Sequence, residues 1–264
     1  MATLTTRTTT SGLIALGLAG AVAFLALWTL LALSGVVQKQ FLPTPLGVLQ
    51  RFVELTQSPF VGHTLQQHLL SSLGRFGMGF GLAAVIGVSL GLAMGWFRWL
   101  DEIVTPFFDA VRFIAPIAWV PFAALWFGTG IGGPTLIIFA GAFPPALINA
   151  YRGAKFVDVR LLEAARMLGT PGWKIVTHVL LPASVPSIVA GLRISAGLGW
   201  QSLVGAELIV ASSGIGYLMV KGQASISTAT VMAGMVAIGL VGVLIDVILR
   251  RVEAGIHRRR GRGE

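Results

Sequence analysis

The stretch Glu163-Ala164-Ala165-Arg166-Met167-Leu168-Gly169, running on through Thr170-Pro171-Gly172 to Leu181-Pro182, is a polar island between long apolar runs. A mere connector is much shorter than these roughly thirty residues, so the island reads as a docking surface. Its chemistry is recognition. Glu163 offers a charge, Ala164 and Ala165 leave a shallow face for a partner, and Gly169 suits the left-handed conformation that ends a helix. Asp158 predicts an N-cap for a helix over 159–168. Thr170 and Pro171 predict the N-cap and first-turn proline of a second short helix through Val179.

A second set of residues could act on a solute. Arg112, Arg193 and Glu207 fall inside apolar runs. A charged side chain at the centre of a membrane helix costs about 2.5–3.5 kcal/mol, so each asks for a partner or a watered path. Arg112 and Arg193 also lie close enough to the run ends to snorkel, which leaves pairing, snorkelling and solute contact open. Glu207 precedes Ser212-Ser213-Gly214 and could brace an outer gate, meet a partner protein, or pair with Lys221 or Arg75. Trp200 and Gln201 set a ring beside an amide in mid-run, which suits a polar pathway or, for the ring, plain packing; Trp119 completes the pathway set. Asp246, four residues before Arg250, reads as half of a helix-end pair.

Other chemistries find no footing. The sequence has no cysteine, which removes thiol catalysis, disulfides and cysteine metal sites. A membrane-embedded enzyme would need a His, Asp or Ser cluster at depth, whereas His63, His68, His178 and His257 fall in predicted loops or tails. Gly128-Thr129-Gly130-Ile131-Gly132-Gly133 follows an apolar helix rather than a strand and reads as a turn. No GxxxxGK[ST] run occurs, so any ATP that drives this chain must be bound by another subunit.

The elements that must position these residues are membrane helices. Hydrophobic residues make up 55% and charged residues 11%, against about 25% charged in soluble domains, and mean hydropathy is +0.84. Apolar runs long enough to cross a bilayer lie near 12–34, 74–97, 103–127, 133–150, 185–209 and 229–250, giving an all-α, six-span chain. The first is too long for a signal-peptide core and reads as a retained span. Pro106, Pro116, Pro121, Pro144 and Pro145 predict kinks in the third and fourth. Gly77, Gly81, Gly87, Gly91 and Gly95 predict a bare stripe for close helix packing in the second. Leu46, Leu49, Phe52, Val53 and Leu55, after Pro43-Thr44-Pro45, predict a short amphipathic helix on the outer membrane surface.

Net charge is +9, yet the basic residues cluster between apolar runs, which fits a membrane protein and not a nucleic-acid binder. Thirteen Lys and Arg, Arg7 and Arg262 among them, fall on one side and four, Lys39 among them, on the other. The richer side is cytoplasmic, which puts both termini and the island there. The organisation read from this is 1–72 (tail, first span, outer segment), 73–250 (five-span core with a loop at 151–182) and 251–264 (basic tail).

The order EAA, then glycine, then LP resembles the cytoplasmic loop of permease subunits of binding-protein-dependent ABC importers. His68-Leu69-Leu70-Ser71-Ser72-Leu73-Gly74-Arg75, Ala118-Trp119-Val120-Pro121, Leu125-Trp126-Phe127-Gly128, Gly191-Leu192-Arg193, Ala206-Glu207 and Gly214-Ile215-Gly216 extend the resemblance over roughly residues 40–255 toward the nitrate/sulfonate/taurine branch. The resemblance implies a bacterial inner-membrane subunit without enzyme activity, paired with a second copy. It implies two cytoplasmic ATPase subunits that bind ATP and Mg and grip Glu163, Ala164, Ala165, Gly169 and Pro182. It also implies a periplasmic or lipid-anchored binding protein that delivers a sulfonate, taurine, nitrate, another small anion or a vitamin precursor. A secondary transporter driven by an ion gradient would share the broken helices and in-span charges but would not need the island.

Overall fold

The computed structural model describes residues 10–38, 40–128 and 130–260; Arg7, Lys39, Thr129 and Arg262 lie outside them. The order is α1 (Thr10–Leu33), α2 (Pro45–Gln57), α3 (Leu65–Trp96), α4 (Arg98–Val111), a 3-10 turn (Pro116–Trp119), α5 (Val120–Phe127), α6 (Gly132–Lys155), α7 (Val159–Met167), α8 (Gly172–Ile175), a π turn (Val176–Leu180), α9 (Leu181–Val210), α10 (Ile215–Ala224) and α11 (Thr228–Arg260). Among the described residues the β pairing is a single isolated bridge, Phe60–His63. A helix satisfies its own N–H and C=O groups, which is what a chain with this much apolar surface requires in lipid.

Among the described residues five continuous helices are long and apolar enough to cross a membrane, and α4 with the Pro116–Phe127 segment forms an apolar pair bent by 87°, a sixth crossing if the pair is one span. The kink predicted in the third run is therefore a full break. Proline disfavours helical ψ in the residue before it, and Ala115, before Pro116, takes φ −56° and ψ 138°. Arg112 consequently caps the end of α4 instead of lying within a helix.

Helix α6 sits between α3 and α9 and is the most enclosed of the spans, whereas α1 is exposed along nearly its whole length. The bare stripe is real but shifted from its predicted members. Gly79, Gly87, Gly91 and Gly95 face α6 closely, and a Cβ on Gly91 would stand 2.5 Å from the Leu147 carbonyl oxygen; Gly77 and Gly81 face open space. Gly77 and Gly81, two residues either way, lie about 160° around the helix from Gly79, so at that level of α3 it is Gly79 that turns toward α6.

Helix α2 begins where expected, with Thr44 Oγ1 accepting from the Gly47 N–H at 3.1 Å. Its inner face is docked on the bundle. Val48 and Leu55 are buried with Leu65, Ile215, Leu218, Ala233 and Ala237, and Arg51 Nε donates to Thr230 Oγ1 at 2.9 Å. Leu46, Leu49 and Val53 point outward. Helix α1 joins this end through Ala32, which is buried, and Trp28, whose Nε1 donates to the Pro43 carbonyl at 3.1 Å. Continuous helices cross the boundaries read at 72/73 and 250/251, since α3 starts at Leu65 and α11 runs to Arg260.

Candidate functional site: a loop knob and a cavity at a helix break

Asp158 Oδ1 accepts from the Arg160 N–H at 2.9 Å and starts α7. The helix ends in a Schellman motif: Gly169 N–H donates to Arg166 O at 2.9 Å, Thr170 N–H to Ala165 O at 3.1 Å, and Gly169 takes φ +70°. That left-handed turn throws the chain sideways into α8. Pro171, not Thr170, is the N-cap of α8, and the second helix does not stop near Val179. It continues through the π turn into α9 as one 39-residue helix, Gly172–Val210. Leu181 N–H reaches back to Val176 O, and Pro182 has no N–H to give His178; the helix widens by one residue and passes on.

Glu163, Ala164, Gly169 and Pro182 are exposed, but Ala165 is buried in its own subunit, so the shallow face expected from both alanines rests on Ala164 alone. The tip is strongly apolar. Met167, Leu168 and Trp173 are 88%, 84% and 64% exposed. Three large exposed apolar side chains beside a charged helix are what a contact surface would present.

The pathway candidates separate into three places. Arg112 and Gln201 line one cavity of about 370 Å³ with Ile114, Pro116, Gly141, Pro144, Pro145 and Ser202, where the α4–α5 break meets α6 and α9. Trp119 lines an adjoining, more apolar cavity of about 180 Å³ that shares Arg112, Ile114, Ala140 and Pro144. Arg112 Nε pairs with Asp109 Oδ1 at 2.9 Å, and the guanidinium lies 4.8 Å from the Phe113 ring centre.

Arg193 does not stand free. It bonds Asp246 at 2.9 Å and Glu253 at 3.2 Å, tying α9 to α11, while Asp246 also holds Arg250 at 2.7 Å as the four-residue spacing predicted. Trp200 is buried edge-on against Phe76, and its Nε1 donates to the Ile238 carbonyl at 3.1 Å. Its ring is packed into the bundle, although one edge of it joins Arg193 and Gln201 along a separate cleft beside α11.

Glu207 pairs with Arg75, one of its two sequence candidates, but in the interior and not at an interface. Its carboxylate accepts from Arg75 Nη1 at 2.8 Å, from Ser72 Oγ at 2.8 and 2.9 Å, and from the Gly216 N–H at 3.0 Å. Ser72 Oγ accepts from the Ile215 N–H at 3.0 Å, and Gly214 N–H donates to His68 Nδ1 at 3.1 Å. The first amides of α10 are thereby satisfied by side chains of α3 and α9. Arg75 also donates to the backbone and hydroxyl oxygens of Ser213, both at 2.7 Å.

Residues 83–262 match the family described as "Binding-protein-dependent transport system inner membrane component". The chain belongs to that family. It is a multi-pass inner-membrane permease subunit, a transport component and not an enzyme. This permease is 33% identical over 230 residues to the taurine transport system permease protein of Escherichia coli, covering 87% of this chain and 84% of that one. It is 34% identical over 253 residues to the bicarbonate transport system permease protein of Synechococcus elongatus, covering 93% and 90%. In three dimensions it resembles a chain of the inward-facing MetNI methionine ABC transporter, with a TM-score of 0.63 at 19% identity over 73% of this chain and 95% of that one, a likeness of fold.

Several partners in the permease were missed from sequence: Asp109 beside Arg112, Ser202 beside Gln201, and Ser72, His68, Ser213 and Gly216 around Glu207. Asp109 was findable, since a charge three residues before an arginine on a helix is its natural neighbour. Ser72 and His68 were not, because they come from α3, far from Glu207 in sequence, while Ser213 and Gly216 follow it closely and are brought back only by the turn into α10.

Proposed function

We propose that this permease is half of a dimeric ATP-driven importer, two copies enclosing a central pathway with both termini and α7–α8 in the cytoplasm. Two ABC ATPase subunits, which bind the ATP and Mg, clasp the α7–α8 knob; a periplasmic or lipid-anchored binding protein delivers a small anion of the sulfonate, taurine or nitrate kind to the opposite mouth. The names of the taurine and bicarbonate relatives support the solute class. The exposed Met167–Leu168 tip on a turn fixed by Gly169 carries the reading. Closure of the ATPases would move the two knobs together as rigid bodies and switch which side the pathway faces. The drive available is the difference in nucleotide affinity between the two states. Continuity of α8 with α9 makes this lever stiff, since no loop intervenes between the knob and the spanning helix.

Co-purification tests it. The wild-type permease should bring down its ATPase, and Gly169→Val, which forces a β-branched residue into the left-handed region, should insert normally yet lose that association. Normal pull-down by the mutant would reject the proposed contact.

A further inference from the structure

We propose that the cavity at the α4–α5 break is a two-ended solute site, selective for a small anion that also carries a hydrogen-bond donor. The proposal rests on the importer reading and adds to it a selection made by the permease, separate from that of the binding protein.

The anionic end is Arg112. Its ion pair with Asp109 engages Nε, and neither terminal nitrogen has a hydrogen-bond partner among the described residues. Two parallel N–H donors on a planar guanidinium suit two oxygens of a sulfonate or carboxylate. Gln201 brings an amide to the lining, while the Ser202 hydroxyl beside it donates to the Leu198 carbonyl at 2.8 Å. Asp109 orients the guanidinium and moderates its charge, which favours release over permanent capture.

The donor-binding end comes from the backbone. Pro144 and Pro145 lie halfway along α6 and have no N–H, so the carbonyls of Ala140 and Gly141 lose their ordinary helical partners, and both residues line the cavity. Carbonyl oxygens with spare lone pairs want a donor, and an ammonium or hydroxyl group supplies one. A cation and two such carbonyl-bearing residues in the lining of one cavity suit a zwitterion or a hydroxylated anion better than a simple one.

The test uses the assembled importer, permease with ATPases, in detergent, with three labelled probes measured by equilibrium dialysis. Taurine carries sulfonate and ammonium, ethanesulfonate lacks the ammonium, and ethanolamine lacks the sulfonate. Taurine should bind best. Arg112→Gln should weaken taurine about tenfold or more, the loss of a charge-assisted contact, and Arg112→Lys less. Pro144→Ala together with Pro145→Ala, which restores both N–H groups, should bring taurine down to the level of ethanesulfonate and leave ethanesulfonate unchanged.

Unchanged taurine binding in Arg112→Gln, equal binding of taurine and ethanesulfonate to the wild type, or binding of no probe at all would overturn the site. ATPase content and basal ATP hydrolysis are read on the same samples. Intact ATPase with any of those outcomes sinks this proposal alone, while absence of ATPase from the wild-type complex would sink the importer reading.

Discussion

Glu207 shows what a single residue can and cannot announce. A carboxylate in an apolar run demands a partner, and Arg75 was one of the two cations named for it. The rest of its shell was illegible: Ser72 lies 135 positions away and meets it only because α3 and α9 pack together. The pair is buried, with side chains 6% and 1% exposed. Removing the cation leaves an uncompensated interior charge, so Arg75→Ala should destabilise the permease by about 3–5 kcal/mol. Glu207→Gln should cost less, because the buried Arg75 cation keeps both oxygens of Ser213 and the amide oxygen can still accept from the Gly216 N–H and Ser72. Unfolding in mixed micelles would rank the two, and equal losses would contradict the account of a charge held by its partners.

At the scale of the element, the lengths of the helices were legible from hydropathy, but which glycines face a neighbour was not. Spacing by four picked out Gly87, Gly91 and Gly95 correctly and added Gly77 and Gly81, whose surroundings are empty. A repeat says that a stripe exists, whereas the partner helix decides where it begins. Gly91→Val should therefore cost about 1–3 kcal/mol or more by overpacking against Leu147 and Ala150. Gly77→Ala should stay within about 0.5 kcal/mol. Thermal inactivation of the two variants compares them directly, and matching losses would remove the α3–α6 contact as the reason for the glycines. Proline was similarly half-legible. Pro116 promised a kink and gave a break of 87°, while the short helix expected to run through Val179 continues past Pro182 without a break. A missing N–H is visible in sequence; whether the backbone answers by breaking or by widening depends on what packs around it.

For the whole molecule, five of the six predicted spans, each a continuous helix, and the position of the knob were readable because they follow from long apolar runs and one polar interruption. The joining of Arg112 and Gln201 with Ala140 and Gly141 in one cavity was not, since it depends on a bend between α4 and α5 that no periodicity records. The distribution of Lys and Arg predicts that a periplasm-active reporter fused after Gly255 stays silent; strong activity would invert the orientation.

The account centres on a permease worked by ATPases through α7–α8. Solute uptake into proteoliposomes, supplied with the binding protein and internal ATP, measures this most directly. Uptake is predicted to vanish when the ATPase subunit is omitted and to fall toward that level with Gly169→Val. Uptake at the full rate without the ATPase would contradict the account.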